Sequence, residues 1–200
     1  MAPSETAVLL IGFQNDYFSP DGVLRQFIEE PARVTGTLRN TVALITRLQP
    51  TSVLMVTTPI LFTPAYGEVR EPVGILKAIR EMGAFQSGSS GAATVAELAP
   101  FGERLIEVPG KRGLNAFSNT RLDEILQAEA VRDVVLCGVV ASLCIDSTAR
   151  AAHERGYRVT IVSDCISGRT LVEQNFYLSE IYPMYSQVLT SQQFLSELGL

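Results

Sequence analysis

The chain has 200 residues, 46% of them hydrophobic and 18% charged, and a formal net charge of −5. That length suits one α/β domain with a full core, so a single unit spanning residues 1–200 is expected. The acidic balance argues against nucleic-acid binding, which needs clustered Lys and Arg, and no run of about 20 apolar residues offers a membrane span.

The stretch "MAPSETAVLLIG" has neither a charged n-region nor a long apolar h-region, so it does not read as a signal peptide. The three cysteines, Cys137, Cys144 and Cys165, lack paired spacing and point to reduced thiols in the cytoplasm. One histidine, His153, cannot make a metal site of two or three histidines. Neither a metal nor another cofactor is expected.

"TAVLLIG" (6–12) reads as a buried first strand closed by Gly12. "FQNDYFSPDG" (13–22) is polar and turn-rich. The spacing over 31–48 predicts a helix, with Pro31 suited to its first turn. "SVLMVTTPI" (52–60) is a second strand, followed by loop to residue 74 and a short helix over 75–83. Residues 84–100 open in a Ser/Gly-rich run that reads as either a lid or a short helix. "RLIEVPG" (104–110) is a third strand, 119–131 a helix, and "RDVVLCGVV" (132–140) a fourth strand. A helix over 143–156 stops at Gly156. "RVTIVSD" (158–164) is a fifth strand, 171–190 is mostly helical, and "SQQFLSEL" closes the chain. The apolar segment 175–195 serves either core packing or an interface.

Continuous apolar strands alternating with helices imply a doubly wound, mainly parallel sheet in a three-layer α/β/α sandwich. Ligands in such folds bind beyond the carboxyl ends of the strands. That edge collects Gly12, the loops after Ile60 and Val108, the turn at 139–144 and the turn after Asp164. Topology alone therefore makes Lys111 and Cys144 neighbours.

Cys144 stands where a strand gives way to a helix, and a helix N-terminus favours a thiolate. The ammonium of Lys111 would add to this. The plainer alternatives are a packed thiol and a solvated lysine. Cys137 and Cys165 read as core residues, and His153 lies two and a half turns from the site.

Three segments carry a resemblance: "AVLLIGFQNDYF", "KRGLNAFSNTRLDEIL" and "VVLCGVVASLCIDSTARAAHERGYRVTIVSD". They resemble the isochorismatase-like cysteine hydrolases, which include nicotinamidases, N-carbamoylsarcosine amidohydrolases and isochorismatases. The resemblance implies an Asp/Lys/Cys set, with Cys144 as nucleophile and Lys111 as its partner. It also implies a cis peptide at Val139–Val140 and an oxyanion hole from the Val140 and Cys144 amides. Homo-oligomers, dimers or larger, are implied as well, with a small-molecule substrate and no membrane partner.

The resemblance breaks at Gly12, which occupies the position of the family's general acid/base. Asp16 would be a second acidic position of structural character. Asp21, Glu29, Glu68 and Glu173 are candidate replacement carboxylates. Without a side chain, Gly12 would leave space for a larger pocket, with Phe13, Tyr17, Phe62, Tyr66 and Phe117 as candidate lining. The loop after strand two has no histidine, so nicotinamidase-type metal chemistry is not expected. The leading reading is a hydrolase of a small carbonyl compound that works through a Cys144 thiolate. The alternatives are a small-molecule binding protein on a disabled enzyme scaffold and a redox-reactive thiol with Cys165 as partner.

Overall fold

Continuous apolar runs make strands here because both faces of the sheet are covered. The computed structural model describes residues 1–28 and 30–200. Among these, six strands form one sheet in the order β3-β2-β1-β4-β5-β6: β1 (Thr6–Ile11), β2 (Leu54–Thr58), β3 (Leu105–Glu107), β4 (Asp133–Val139), β5 (Arg158–Ser167) and β6 (Gln187–Leu189). Every pairing is parallel. Each residue of β1 and β4, the central pair, is buried.

The helices are α1 (Asn15–Phe18), α2 (Pro31–Leu48), α3 (Gly74–Met82), α4 (Leu122–Ala128), α5 (Asp146–Glu154), α6 (Leu171–Phe176) and α7 (Ser191–Glu197). Helix α2 packs along β4 and β5, with α7 beside it. Polar ties fix α2 there: Thr37 Oγ1 donates to Ile166 O at 3.1 Å and Asn40 Nδ2 to Asp164 O at 2.8 Å. No described helix is long and apolar enough to cross a membrane.

Strand order reverses between β1 and β4, where Ile11 pairs with Gly138. Gly138 is required at that crossing, because a Cβ there would stand 1.9 Å from the Ile11 carbonyl oxygen. The crevice at such a reversal is the usual ligand site of an open α/β sheet.

The sheet is all-parallel rather than mainly so. Residues 171–190 are mostly helical as expected, running through α6 to Phe176, a wide turn over Tyr177–Ile181 and a tighter one over Tyr182–Met184, but they end in β6. Three residues are too few to show strand periodicity. Their place at the edge is set by pairing with Thr160–Val162 of β5. The segment divides its apolar residues: Tyr182 and Phe194 are core, while Val172, Phe176 and Met184 are exposed.

Candidate active site

The chain enters the site through Gly12, whose φ of +75° lies in the left-handed region that favours glycine. Gln14, 1% exposed, then acts as a clip. Its Nε2 donates to Ile60 O and Ala92 O, and its Oε1 accepts from Ile60 N, each at 2.8 Å. Asp16 accepts from the Phe85 amide at 2.7 Å. The chain there also bonds through backbone, from Asn15 N to Ala93 O and from Asp16 N to Gly91 O. The Ser/Gly-rich run is thus fastened to the β1 loop, and the short helix expected over 84–100 begins at Ala96. Glycine is required at 91, where a Cβ would lie 2.1 Å from Asp16 Oδ1.

Burial pushes the Asp16 carboxyl above its ordinary range, against the opposing pull of the Phe85 and Val23 amides. Asp16 is structural, as its position in the motif implied. The clip of Gln14 was not anticipated. A glutamine directly after the apolar Phe13 in a turn was the available signal.

Lys111 follows β3 and forms a parallel bridge with Ile60. It is 0% exposed, and its Nζ lies 3.5 Å from Cys144 Sγ. Among the described residues this is the hydrogen-bond partner of the sulfur. Burial lowers the lysine pKa, while the attraction and hydrogen bond to Cys144 work to raise it.

Cys144, 2% exposed, lies in a five-residue wide turn, Ala141–Ile145, that leads directly into α5. The helical path therefore begins two residues before the expected start at 143. Ile145 N and Leu143 N both donate to Val140 O, at 3.2 and 3.1 Å, and this shared acceptor widens the turn. The Val139–Val140 peptide is cis. The C-terminal segment braces the turn at three points. Tyr182 donates to Ala141 O at 2.8 Å, Ser142 to Glu173 at 2.6 Å and Tyr185 to Asp146 at 2.6 Å.

The space expected above Gly12 is filled. A Cβ there would stand 2.8 Å from Val139 O, 3.0 Å from Val139 Cγ2 and 3.6 Å from Tyr17 Cδ2. The candidate aromatics part company. Tyr17 packs beside the site and Phe13 stacks on Phe18 at 5.0 Å. Phe62 contacts Tyr66, whose hydroxyl is held by Ala84 O at 2.6 Å. Phe117 stacks on Tyr157 at 6.2 Å under Arg155. Tyr157 immediately precedes β5, at the amino end of the strands, so Phe117 lies away from the sulfur. The loop after Lys111 carries it there alongside α5, tied by Ala116 N to Thr148 Oγ1 at 3.1 Å.

The candidate carboxylates do not reach Sγ. Glu68 pairs with Arg112 at 2.8 Å and with Thr63, and Glu173 holds Ser142 and Arg169. Asp21 is exposed beside a cavity of about 300 Å³ lined by Asn15 and Ser19, and Glu29 lies outside the described residues. Cys165 interacts with Cys137 rather than with Cys144; burial and this neighbour raise the Cys137 pKa. His153 sits 6.2 Å from the Tyr185 ring.

The Isochorismatase domain model matches residues 6–193. The uncharacterized isochorismatase family protein YddQ of Bacillus subtilis (strain 168) is 27% identical over 200 aligned residues, covering 95% of this chain and 98% of that protein. Ureidoacrylate amidohydrolase RutB of Rhizobium rhizogenes is 26% identical over 176 residues, covering 82% of this chain and 71% of that one. In fold, the chain resembles a cysteine hydrolase from Pseudomonas syringae pv. phaseolicola 1448A, with a TM-score of 0.88 at 18% identity over 100% of this chain and 94% of that one.

Proposed function

Because this chain belongs to the isochorismatase family, a family of hydrolases, we propose that it cleaves a small amide or related carbonyl compound through Cys144. The observation that carries this reading is the sealed contact between Lys111 Nζ and Cys144 Sγ at 3.5 Å. A lysine is costly to bury alone, and a thiolate partner offsets that cost. An ammonium held beside a sulfur is the arrangement a cysteine nucleophile uses.

In the proposed cycle Sγ attacks the carbonyl carbon, and the oxygen takes up the charge. The amides of Val140 and Cys144 are the proposed donors to that oxygen, each worth roughly 3 kcal/mol in comparable sites. Collapse expels the leaving group and leaves a thioester, which water then hydrolyses. The relative's name supplies a substrate class, small acids bearing a ureido or amide group. Self-association belongs to the same proposal. Val172, Phe176 and Met184, 81%, 53% and 80% exposed, give a second copy an apolar surface to cover. Sedimentation as a monomer would contradict that part.

Hydrolysis of 4-nitrophenyl acetate and ureidoacrylate by wild type and Cys144→Ala is the direct test. The variant should lose at least about 10³-fold in kcat/KM. Equal turnover by both proteins would remove Cys144 from the chemistry. A binding-only reading draws on the lack of a carboxylate at Sγ among the described residues; it predicts tight binding of such acids without turnover in wild type.

A further inference from the structure

Breaking a C–N bond through a thiolate raises a proton problem, because the nitrogen departs as a neutral amine only if a donor protonates it. Lys111 Nζ is engaged with Sγ at 3.5 Å. The carboxylates are engaged elsewhere: Asp16 with Phe85 N at 2.7 Å, Glu173 with Ser142 at 2.6 Å and Glu68 with Arg112 at 2.8 Å.

Tyr17 is differently placed. It is 2% exposed. Its ring edge lies beside Gly12, the position of the acid that the resemblance implies, with Tyr17 Cδ2 3.6 Å from where a Cβ of residue 12 would stand. Phe85 holds the ring from another side at a centroid distance of 5.4 Å. No described residue forms a hydrogen bond with its hydroxyl. The hydroxyl is not one of the fully sealed polar atoms that lack a partner, so it keeps a small opening through which a ligand's polar atom can reach it.

We propose that the Tyr17 hydroxyl protonates the departing nitrogen and, as phenolate, then takes a proton from the water that hydrolyses the thioester. The inference rests on the cysteine-hydrolase reading above. In acylation the C–S bond forms as the carbonyl π pair moves to oxygen. That pair returns, the C–N bond breaks, and nitrogen takes the Tyr17 proton. In deacylation Tyr17 O⁻ removes a proton from water, whose oxygen attacks the thioester carbon. The C–S bond breaks, Sγ leaves as thiolate, and the released acid gives its proton to solvent. Enzyme protons and charge are restored.

Electrostatics favours this order. Burial, then the Cys144 charge, then Asp16 raise the Tyr17 pKa well above its ordinary range. The phenol therefore enters the cycle protonated. Once sulfur is acylated its charge is gone, so one cause of the high pKa disappears when the proton must leave.

Tyr17→Phe keeps the ring and removes the proton. With ureidoacrylate its kcat/KM should fall by about 10²-fold or more. With 4-nitrophenyl acetate, whose leaving group departs unprotonated, the loss in kcat/KM, which reports acylation alone, should be at least about tenfold smaller. Unchanged cleavage of ureidoacrylate would overturn the proposal while leaving Cys144 as nucleophile. Equal losses on both substrates would overturn it too, as the mark of a packing role. Wild type that cleaves the ester but not the ureido acid would also sink it. Full activity in Cys144→Ala would instead break the underlying hydrolase reading.

Discussion

At residue 12 a side chain has no room. Glycine there combines φ +75° with a Cβ position 2.8 Å from Val139 O, so Gly12→Ala should cost about 1–3 kcal/mol of stability. Gly12→Asp should be no less destabilised and should gain no amidase activity, as thermal unfolding and ureidoacrylate assays will show. Lys111 Nζ lies 3.5 Å from the sulfur, so Lys111→Met should slow iodoacetamide alkylation of Cys144 at pH 7 by about tenfold or more. Asp16 carries the pH argument. Its carboxyl pKa is raised on folding from an ordinary 3.8, with burial as the main cause. Between 3.8 and the raised value the native state holds more proton than the unfolded state, so stability falls as pH rises through that window. Asp16→Asn removes this dependence and keeps an acceptor for Phe85 N. Asp16→Ala leaves that amide unpaired and should cost about 1–3 kcal/mol. Chemical denaturation across pH separates the two variants.

Between elements, the turn that carries Cys144 depends on chain that comes after it. Glu173 of α6 accepts from Ser142, while Tyr182 and Tyr185 hold Ala141 O and Asp146. Ser142→Ala and Glu173→Gln should each slow Cys144 alkylation, and the double variant should be little worse than either. Independent additive losses would show that the two side chains do not work as a pair. Little of this brace was legible in the sequence. The apolar spacing of 171–190 matches a helix, and only the pairing of Gln187–Leu189 with β5 makes its end a strand. The capping box of α7, in which Thr190 and Gln193 exchange side-chain-to-backbone bonds, was written in the sequence as Thr-x-x-Gln. Thr190→Ala should cost about 1 kcal/mol in thermal or chemical unfolding.

Across the whole molecule, topology was the most legible feature. β1 and β4 are continuous apolar runs, and such runs alternating with helices leave few arrangements besides a parallel sheet. That is why topology alone brings together Lys111 and Cys144, 33 residues apart. Which aromatic side chains reach the sulfur was not legible. Tyr17 lies in α1 and Phe117 in the loop after Lys111, both leaving the site edge, but Gln14 and Asp16 anchor one segment there, while Thr148 draws the other along α5. Such anchoring depends on single hydrogen bonds that leave no periodic trace. The central claim concerns one atom, Cys144 Sγ, as the group that carries the substrate's acyl fragment. Mass spectrometry of wild-type protein acid-quenched during 4-nitrophenyl acetate turnover tests it most directly. The account predicts one acyl group on the peptide containing Cys144; wild type that turns over with Cys144 unmodified and the acyl group on another side chain would contradict it.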